Sequence, residues 1–355
     1  MTNKKAVIAM SGGVDSSVAA GLALEEGYDV TGVNLHLAPS SGGKDTEDAK
    51  AVCDRLGIPF ESVDMRESFR KLIMEEFARE YYAGRTPNPC VLCNRLIKFG
   101  LLSDYAESIG AQTLITGHYA RTKFNEATGR YNILKAANAD KDQSYVLASL
   151  TQKQIQNAYF PLGELDKSQV RGIAESFGLT VSDKKDSQDI CFVPDGDYAA
   201  IIKELLPNQD IQGNFVMQDG RIIAPHKGIS NYTIGQRKGL GVALGFPVFV
   251  TAINPITGDV VLGSNDDLMK REVSLAGFNP IAVDTSKGPI TMSCTARIRY
   301  HAKEAPCTAE LHEDGKAQLT FDEPQRAPTP GQTCVLYDGD SVIGGGTIVL
   351  EDSNG

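Results

Sequence analysis

The fold of this chain is decided by one stretch near its beginning, Ala6-Val7-Ile8-Ala9-Met10-Ser11-Gly12-Gly13-Val14-Asp15-Ser16-Ser17. Its first four residues are apolar and predict a buried strand, and the polar turn after them leads into an amphipathic pattern that stops at Gly27. Ser16 and Ser17 are placed to cap the helix that this pattern predicts, with Gly27 as its C-terminal glycine. A strand, a glycine turn and a helix in direct succession are typical of the first unit of a parallel sheet.

The same alternation of strand and helix patterns continues to about residue 205. Predicted strands lie at 5–10, 30–37, 59–64 and 113–117. Predicted helices run from about Asp45 to Leu56, through Phe69, Leu72, Ile73 and Phe77, and over 166–177, where Asp166 and Gln169 have capping-box spacing. The first part of the chain is therefore predicted to be an α/β domain with a Rossmann-like parallel sheet.

After residue 205 the pattern changes to short strands with Gly and Pro turns. Alternation over 291–300 and strand patterns at 307–312, 316–321, 333–337 and 342–349 predict a small antiparallel β-barrel, with a hairpin turn at Asp338-Gly339. The 355 residues exceed the roughly 150 of one domain. We expect three domains: a catalytic domain at 1–205, a central β-rich domain at 206–278 and a C-terminal barrel at 279–355.

The composition excludes several classes of protein. Hydrophobic residues make up 41% and charged residues 23%, and no apolar run reaches the ~20 residues that span a bilayer, so no membrane role is predicted. The first predicted strand begins almost at once, which leaves no room for a signal peptide. Seven cysteines are too few for a disulfide scaffold in a chain of this length. We expect a cytoplasmic protein with mostly reduced thiols.

The charge distribution points to one candidate RNA-binding segment. The net charge of −10 excludes a uniformly basic nucleic-acid binder, because phosphate affinity comes from Lys and Arg. The segment from Arg221 through Gly258 nevertheless contains no acidic residue, and it carries the basic residues Arg221, Lys227, Arg237 and Lys238. It is a candidate RNA-binding patch in the central domain; the alternative is a glycine-rich loop region with an accidental charge bias.

The glycine turn at 11–17 suits a phosphate group. It lacks the Gly-Lys-Ser/Thr ending of a Walker A loop, and it is not a dinucleotide GxGxxG. Its glycines let backbone N–H groups approach an anion, its hydroxyls add donors, and the helix that follows presents its N-terminus. Asp15 is a candidate ligand for Mg²⁺ bound to the phosphates. The alternative is an ordinary glycine turn with a serine cap.

This turn resembles the PP-loop of the N-type ATP pyrophosphatases. Those enzymes cleave ATP between its α and β phosphates and adenylate an oxygen of the substrate, so the resemblance implies ATP as a substrate. The class contains synthetases of small molecules as well as tRNA-modifying enzymes. The loop alone does not choose among them.

Three cysteines carry the next part of the argument. Cys90 and Cys93 follow the break Gly84-Arg85-Thr86-Pro87-Asn88-Pro89, and Cys191 lies much later in the chain. A zinc site would need a fourth ligand at a usual spacing, which the sequence does not offer. Sulfur transfer fits better, because one thiolate carries a sulfur atom as a persulfide and a second resolves the resulting linkage. Cys53, Cys294, Cys307 and Cys334 are predicted to be small apolar residues of helices and strands.

Blocks spread over nearly the whole chain resemble those of the bacterial tRNA-specific 2-thiouridylase family. They are Ala9-Met-Ser-Gly-Gly-Val-Asp-Ser16, Gly84-Arg-Thr-Pro-Asn-Pro89, Leu92-Cys-Asn94, Ile97-Lys-Phe99, Thr116-Gly-His-Tyr-Ala-Arg121, Lys141-Asp-Gln-Ser-Tyr145, Asp189-Ile-Cys-Phe192, Gly235-Gln-Arg-Lys-Gly-Leu-Gly241, Ala296-Arg-Ile-Arg-Tyr300 and Tyr337-Asp-Gly-Asp340. Several blocks in the right order are far more specific than any one motif. The resemblance implies a PP-loop domain, a central tRNA-binding domain and a C-terminal barrel.

The resemblance also implies roles for individual residues. Cys93 matches the catalytic nucleophile and Cys191 the cysteine that bears the persulfide. ATP-binding positions are matched by Ala9, Met10, Ser11, Gly12, Gly13, Val14, Asp15, Ser16, Leu35 and Gly117. The segment that meets the target base is matched by Asn88, Pro89 and Cys90, and further tRNA-contacting positions by His118, Lys141, Asp142, Gln143, Arg299, Tyr300 and Gln332. Cys90 departs from the family pattern, which often has Asp there. Without its block, His118 is equally an ordinary loop histidine.

By the resemblance, the expected reaction is ATP-dependent thiolation of the wobble uridine of tRNA. ATP adenylates O2 of the base, the persulfide on Cys191 attacks C2, and Cys93 resolves the linkage, which leaves a Cys93–Cys191 disulfide. The expected partners are tRNA and a cysteine desulfurase or sulfur-relay protein as sulfur donor, and a monomer is the simplest state.

Three alternatives remain open from the sequence. The first is a thiolase that binds a [4Fe-4S] cluster through Cys90, Cys93 and Cys191. The second is an ATP-sensing RNA-binding protein without catalysis, and the third is a PP-loop synthetase or amidotransferase of a small molecule. The presence of both Cys93 and Cys191 argues against the second. The third would need an ammonia source, and the sequence shows no glutaminase-type Cys–His pattern.

Overall fold

The structure is a computed structural model that describes residues 4–38, 43–179, 190–193 and 196–350. The block that begins at Asp189 therefore lies partly outside the described residues, whereas Cys191 lies within them. Across these ranges, no helix combines the length and the apolar character needed to cross a membrane.

Strands of the first part of the chain form a parallel sheet and a separate hairpin. They are β1 (Lys4–Ala9), β2 (Tyr28–His36), β3 (Phe60–Asp64), β4 (Thr113–Ile115), β5 (Ala120–Asn125), β6 (Arg130–Lys135) and β7 (Ala158–Tyr159). Within the described residues, the sheet has the order β3-β2-β1-β4-β7 and every pairing in it is parallel. The four predicted strands and the parallel sheet are confirmed.

Helices cover both faces of this sheet. They are α1 (Val14–Glu25), α2 (Lys44–Leu56), α3 (Arg66–Phe69), α4 (Glu75–Tyr82), α5 (Pro89–Cys93), α6 (Leu102–Ser108), α7 (Gln152–Asn157), α8 (Lys167–Ser176) and α9 (Tyr198–Leu205). π-helical segments at Arg70–Met74 and Asn94–Leu101 join α3 to α4 and α5 to α6. The predicted capping box of Asp166 and Gln169 is present at α8, and the helix over 44–56 ends at Gly57, which is left-handed.

The order of the sheet creates a crevice at its carboxyl edge. The chain moves outward from β1 to β2 and β3, then returns to place β4 on the other side of β1. In parallel sheets of this type, ligands bind where the strand order reverses, outside the carboxyl ends of the two diverging strands. The glycine turn at 10–13 follows β1, and the segment 116–118 follows β4. Both therefore lie at this crevice.

A small sheet follows in the central part of the chain. Its strands are β8 (Asn214–Met217), β9 (Ile222–Pro225), β10 (Phe249–Ile253) and β11 (Val260–Gly263), in the order β10-β11-β8-β9. Phe215, Val250, Val260 and Leu262 are buried in its own core. The predicted change from alternating strands and helices to short strands after residue 205 is confirmed.

The C-terminal strands close into an antiparallel barrel. They are β12 (Met269–Pro280), β13 (Ile290–Arg297), β14 (Ala305–Leu311), β15 (Ala317–Arg326), β16 (Thr333–Asp338) and β17 (Ser341–Val349). The order is β12-β15-β14-β13-β16-β17, and pairing of β12 with β17 closes the ring. The predicted barrel is confirmed. β12 runs across the predicted boundary at 278/279, so the three domain limits stay a proposal.

The hairpin of β5 and β6 joins the first part of the chain to the barrel, which the sequence did not predict. β6 pairs with β17 at Ser341 and Leu134. The Arg130 guanidinium donates to the carbonyl oxygens of Pro280 and Ile281 at 2.8 and 2.7 Å. The core on this face of the parallel sheet includes Val335, Tyr337 and Val342 of the barrel. The barrel and the parallel sheet therefore share one core.

Two local predictions were wrong in detail. The N-cap of α1 is Gly13, not Ser16 or Ser17, because the helix begins at Val14 and both serines lie in its first turn. β13 ends at Arg297 rather than at Tyr300, because its pairing with β14 ends at Ala296 and the chain turns there.

Candidate active site at the carboxyl edge of the parallel sheet

The turn between β1 and α1 is built around the carbonyl group of Gly13. Gly12 has a left-handed φ of 71°. The hydroxyls of Ser16 and Ser17 donate to the Gly13 carbonyl oxygen at 3.1 and 2.8 Å, and the Ser11 N–H donates to the Ser16 hydroxyl at 3.2 Å. Gly13 is the N-cap of α1, and among the described residues no side chain caps the first N–H groups of this helix. The positive end of the α1 dipole therefore faces the turn. This is the arrangement that binds phosphate at helix N-termini.

Hydrogen bonds from β2 and α2 fix the position of the turn. The Asn34 side-chain amide at the end of β2 donates to the Met10 carbonyl oxygen at 2.7 Å, and the Thr46 hydroxyl donates to Asn34 Oδ1 at 3.0 Å. A Cβ on Gly12 would lie 2.5 Å from the Asp45 carbonyl oxygen. Glycine at this position therefore serves both the left-handed φ and the close approach of α2. Leu35, the neighbour of Asn34, is half-buried in the adjacent core.

Gly117 brings the end of β4 against the first turn of α1. A Cβ at Gly117 would lie 2.8 Å from the carbonyl carbon of Asp15 and 2.8 Å from the backbone nitrogen of Ser16. Backbone atoms cannot yield as the end of a flexible side chain does. The close approach fixes where the phosphate-binding turn lies relative to His118, the next residue.

Asp15 is held by an ion pair rather than left free for a metal. The Lys167 ammonium lies 2.9 and 3.0 Å from its two carboxylate oxygens, and the Tyr119 hydroxyl donates to Oδ1 at 2.7 Å. Both oxygens of Asp15 therefore already have partners, and its assignment as a Mg²⁺ ligand stays a prediction. Lys167 instead brings a positive charge to the edge of the turn.

The three cysteines differ in exposure. Cys90 and Cys93 lie on α5, where the Asn88 side chain caps the helix by accepting from the Cys90 N–H at 3.1 Å. Cys90 is exposed and Cys93 is buried. Cys191 is exposed, and its neighbour Phe192 anchors it by packing edge-on against Phe69 and Phe77.

The thiols of these cysteines share one electrostatic environment. Burial raises the pKa of Cys93 to about 12, and charge on Cys191 or Cys90 raises that pKa further, so the three thiols influence one another electrostatically. Burial likewise raises the pKa of Cys90, and burial and the charge of Cys90 raise the pKa of Cys191. The Lys98 ammonium opposes all three shifts, because it favours the thiolate. The positive charge of Lys98 therefore acts on all three thiols.

His118 lies in the interior next to this group. Its Nδ1 is 2.7 Å from the Thr116 hydroxyl, and its ring packs between Phe99 and Phe160. Burial, and then the nearby Lys98 ammonium, hold its pKa well below 6.5, so the ring is neutral at neutral pH. This placement is that of an ordinary buried histidine. The charge of Lys98 acts both on His118, in the segment after β4, and on the thiols.

The segment before α5 is docked on the barrel. The Thr86 N–H donates to the Pro330 carbonyl oxygen, and the Gln332 side-chain amide donates to the Thr86 carbonyl oxygen, both at 2.8 Å. Pro89 is buried and Asn88 is half-buried. Gln332 therefore positions the segment that carries Asn88, Pro89 and Cys90.

The predicted tRNA-contacting residues at 141–143 are largely engaged inside the protein. The Asp142 side chain is 1% exposed, accepts the N–H groups of Ala136 and Ser144 at 3.1 Å, and pairs with Arg297 of the barrel at 3.2 Å. Gln143 Oε1 accepts the Tyr119 N–H at 3.0 Å. Lys141 is half-buried. Direct contact with RNA therefore does not fit Asp142, whose role here is to hold the barrel.

The turn after β13 brings the barrel to the thiols. Tyr300 packs edge-on against Tyr145 at 5.5 Å between ring centroids. Burial raises the pKa of Tyr300, and charge on Asp142 and then on Cys90 raises it further. Arg299 beside it is exposed. Tyr300 also packs against the core that contains Cys93, so the structure brings this residue of the barrel to the helix of the thiols.

Comparisons with known proteins bear on this site. The family described as tRNA methyl transferase HUP domain matches residues 4–195, a PRC-barrel domain of the same family matches 199–264, and an aminomethyltransferase β-barrel domain matches 279–348. A tRNA-specific 2-thiouridylase MnmA of Clostridium perfringens is 45% identical and the match covers 98% of this chain and 99% of that protein. One from Clostridioides difficile is 46% identical, with 98% of each chain covered. The chain belongs to the tRNA-specific 2-thiouridylase family.

Solved structures resemble this 2-thiouridylase more distantly. A 4-thiouridine synthetase–RNA complex with bound ATP has 17% identity and a TM-score of 0.37, covering 58% of this chain and 51% of that one. An NMN synthetase from Francisella tularensis has 19% identity and a TM-score of 0.35, covering 57% and 77%. Similarity at this level carries no conclusion about activity.

The iron–sulfur alternative is not favoured for this member of the 2-thiouridylase family. Within the described ranges, no three His, Cys, Asp or Glu side chains are grouped so as to hold a metal ion. Cys90, Cys93 and Cys191 are therefore not assigned to a cluster, and no step is routed through one.

The raised pKa of Cys93 predicts how its reactivity depends on pH. Iodoacetamide reacts with thiolates, so a thiol with a pKa of about 12 reacts slowly at neutral pH, and its rate keeps rising from pH 7 to 9.5. A free thiol levels off above its pKa of about 8.5. Peptide mass spectrometry after timed alkylation should find the exposed Cys90 and Cys191 modified before Cys93. A plateau for Cys93 below pH 9 would contradict this environment.

Removing the cation beside Asp142 should destabilise the protein. Arg297→Met leaves a buried carboxylate without its partner, and we expect a loss of about 3 kcal/mol in the free energy of unfolding. The matched control is Lys50→Met, because Lys50 and Asp54 form an exposed pair with side chains 59% and 61% accessible. The loss of unfolding free energy in Lys50→Met should stay below about 0.5 kcal/mol. Urea unfolding followed by circular dichroism measures both, and equal effects would refute a structural role for the Asp142 pair.

Some site residues were missed by sequence reasoning. Lys98 lay within a recognised block, but no spacing signal connected it to Cys191 or His118. Tyr119 and Lys167 partner Asp15 across the fold, and Asn34 holds the turn from a neighbouring strand. A polar residue inside the apolar strand pattern 30–37 is the one signal that would have indicated Asn34.

Proposed function

We propose that this chain is an ATP-dependent tRNA-uridine 2-sulfurtransferase that replaces the C2 oxygen of the wobble uridine with sulfur. One observation carries the proposal: a phosphate-binding turn and a group of three thiols lie at the same edge of the sheet. Gly117 lies against the turn, and the charge of Lys98 acts both on its neighbour His118 and on the three thiols. The full-length relatives named above are tRNA-specific 2-thiouridylases, which supports the same activity.

The first step activates the base with ATP. The triphosphate lies on the turn at 10–13, where the α1 dipole and the Lys167 ammonium favour its negative charge. O2 of the uridine attacks the α-phosphorus, the bond to the bridging oxygen breaks, and pyrophosphate leaves. C2 then carries AMP as a leaving group. Mg²⁺ accompanies the triphosphate as it does in phosphoryl transfer generally, and no residue of this chain is assigned to it.

The second step transfers sulfur. The terminal sulfur of a persulfide on Cys191 attacks C2, and AMP leaves with the electron pair of the C2–O bond. The Cys93 thiolate then attacks Sγ of Cys191, and the sulfur bound to C2 leaves as the thiocarbonyl of 2-thiouridine. The products are thiolated tRNA and a Cys93–Cys191 disulfide. Lys98 favours the thiolate that this step needs.

The exposure of the cysteines suits these roles. Cys191 is exposed, so a protein donor, namely a cysteine desulfurase or a sulfur-relay protein, has access to load it. Cys93 is buried, which shields the resolving thiol from reacting with the donor. The two thiols are close enough for charge on Cys191 to raise the pKa of Cys93.

The RNA surface is proposed to span the central domain and the barrel. Arg221, Lys227, Arg237 and Lys238 are exposed, as the candidate basic patch requires. The target base is splayed out of the anticodon loop into the pocket beside Asn88, Pro89 and Cys90. Arg299 and Lys141 contact RNA, whereas His118, Asp142, Gln143 and Gln332 act by positioning. We propose a cytoplasmic monomer with domain limits at 205/206 and 278/279.

One assay tests the function. Unmodified tRNA is incubated with the protein, Mg-ATP, a cysteine desulfurase and cysteine, and the digested nucleosides are analysed by mass spectrometry while pyrophosphate is measured in parallel. Formation of 2-thiouridine that requires ATP, together with tRNA-dependent pyrophosphate release, is the expected result. Pyrophosphate release without thiolation would leave ATP activation standing and overturn the sulfur transfer. Failure of tRNA to stimulate pyrophosphate release would favour the non-catalytic RNA-binding alternative.

A further inference from the structure

Cys90 and Cys93 form a Cys-x-x-Cys pair on one helix. Residues three apart on an α-helix have Cα atoms about 5 Å apart, which lies within the range that a disulfide spans. The first cysteine of the pair is exposed and the second is buried. An attacking thiol from outside therefore reaches Cys90 before it reaches Cys93.

Cys191 shares the environment of this pair. Its neighbour Phe192 lies in the same hydrophobic core as Cys93. The charge of Cys90 raises the pKa of Cys191, and charges on both raise the pKa of Cys93. The two-step reaction proposed above uses only Cys93 and Cys191. Cys90 is left without a role in that reaction, although it lies on the same helix as Cys93.

We propose that Cys90 is a third catalytic thiol, which takes the disulfide over from Cys191 after each sulfur transfer and frees Cys191 to be loaded again. The inference rests on the proposed function, because that reaction supplies the Cys93–Cys191 disulfide. The Cys90 thiolate attacks Sγ of Cys93, the Cys93–Cys191 bond breaks, and Cys191 leaves as the thiolate. One disulfide replaces another, so the exchange needs no oxidant. A dithiol reductant then reduces Cys90–Cys93 from its exposed side.

The direction of the exchange follows from the leaving groups. Attack on Sγ of Cys93 expels Cys191, whereas attack on Sγ of Cys191 would expel Cys93. A thiol of lower pKa leaves faster. Burial raises the pKa of Cys93 to about 12 and also raises the pKa of Cys191, but Cys191 is exposed to solvent, which stabilises its departing thiolate, whereas Cys93 is buried. Expulsion of Cys191 is therefore favoured, and the buried Cys93 stays within the new disulfide.

Peptide mapping after one turnover tests the exchange. The protein carrying a persulfide is mixed with tRNA and Mg-ATP without reductant, quenched in acid with N-ethylmaleimide and digested with trypsin. Cys90 and Cys93 lie on the single peptide 86–95, and Cys191 lies on 186–203. The expected product is peptide 86–95 with an internal disulfide and peptide 186–203 alkylated at Cys191. In Cys90→Ser the two peptides should remain joined by a Cys93–Cys191 disulfide.

The outcome separates this inference from the proposed function, because 2-thiouridine is counted in the same tubes. If thiouridine forms and the wild-type protein holds the two peptides joined with Cys90 alkylated, the third-thiol proposal is wrong and the function stands. If no thiouridine forms, the function fails.

A second measurement needs neither tRNA nor turnover. Cys191→Ser is equilibrated with oxidised and reduced glutathione, and the internal disulfide in peptide 86–95 should form. Cys53, which is buried on α2, serves as the control, and it should be alkylated only after the protein is unfolded. Mixed disulfides of glutathione at Cys90 without closure onto Cys93 would overturn the proposal.

Discussion

Replacing Cys93 by serine should stop the reaction after C2 has been attacked, so that tRNA becomes linked to Cys191 through a disulfide bridge. The serine hydroxyl does not attack Sγ of Cys191, and Cys90, whose proposed target is Sγ of Cys93, does not replace it, so the sulfur stays bound to C2. We expect 2-thiouridine formation to fall at least about a thousandfold, as it does when a nucleophile is removed from an enzyme. Dithiothreitol should release 2-thiouridine from the trapped adduct, because an external thiol supplies the missing step.

Cys191→Ser should lose the activity to the same extent without forming an adduct, since it carries no persulfide. Both variants should retain tRNA-dependent pyrophosphate release, because the ATP turn lies on α1 and not on α5. The matched control is Cys294→Ser, a half-buried cysteine of the barrel that the mechanism does not use. Gel shift under non-reducing conditions and nucleoside mass spectrometry read out the adduct and the product. Thiolation by either variant at the normal rate would remove that cysteine from the mechanism.

A methyl group on Gly117 should weaken ATP binding. The added Cβ would lie 2.8 Å from backbone atoms of Asp15 and Ser16, so the first turn of α1 has to move. Overpacking of this kind costs roughly 1–3 kcal/mol. If the displacement acts on the phosphate turn, that cost corresponds to a loss of ATP affinity between roughly fivefold and a hundredfold. Pyrophosphate release at increasing ATP concentrations measures the shift.

Gly172→Ala is the control for Gly117→Ala. Gly172 lies inside α8, and nothing comes within 4 Å of a Cβ at that position. Alanine there should raise the stability by roughly 0.5–1 kcal/mol, because it reduces the freedom of the unfolded chain and favours the helix. ATP affinity should not change. An unchanged affinity in Gly117→Ala as well would show that the close approach at β4 does not position the turn.

The site is assembled from both ends of the chain. Gln332 holds the segment before α5, Arg297 holds Asp142, and Tyr300 packs against the core that contains Cys93. These contacts join the barrel to the thiols, and the shared core with Tyr337 joins it to the parallel sheet. The barrel therefore shapes the active site in addition to offering a surface to RNA.

Local patterns predicted the elements of the fold well. The strand, glycine turn and helix at 6–25 depend on contacts between near neighbours, and the capping box at Asp166 and Gln169 depends on residues three apart. Errors arose where a neighbouring element intervened. Ser16 and Ser17 were predicted to be caps, but the helix begins at Val14 with Gly13 as its N-cap. The preceding turn at Gly12 lies against the Asp45 carbonyl oxygen of α2.

The candidate site was predicted in part. Cys93 and Cys191 were paired by the resemblance, and this pairing stays a prediction, although charge on Cys191 raises the pKa of Cys93. Asp142 and His118 were expected to meet tRNA, yet both are buried and bonded within the protein. A polar residue in a loop has the same sequence pattern whether it faces solvent or another domain.

By itself, the sequence determined the strands and helices, the phosphate-binding turn and the reactive residue types, because these follow from periodicity, from backbone freedom at glycine and from side-chain chemistry. Only the tertiary structure decided which surfaces are covered. β16 is buried on both faces because one faces the barrel interior and the other the parallel-sheet domain. Tyr300 of the barrel and the core that contains Cys93 meet for the same reason. Their contact depends on how the barrel packs against the sheet, and packing between distant segments leaves no period or spacing in the chain.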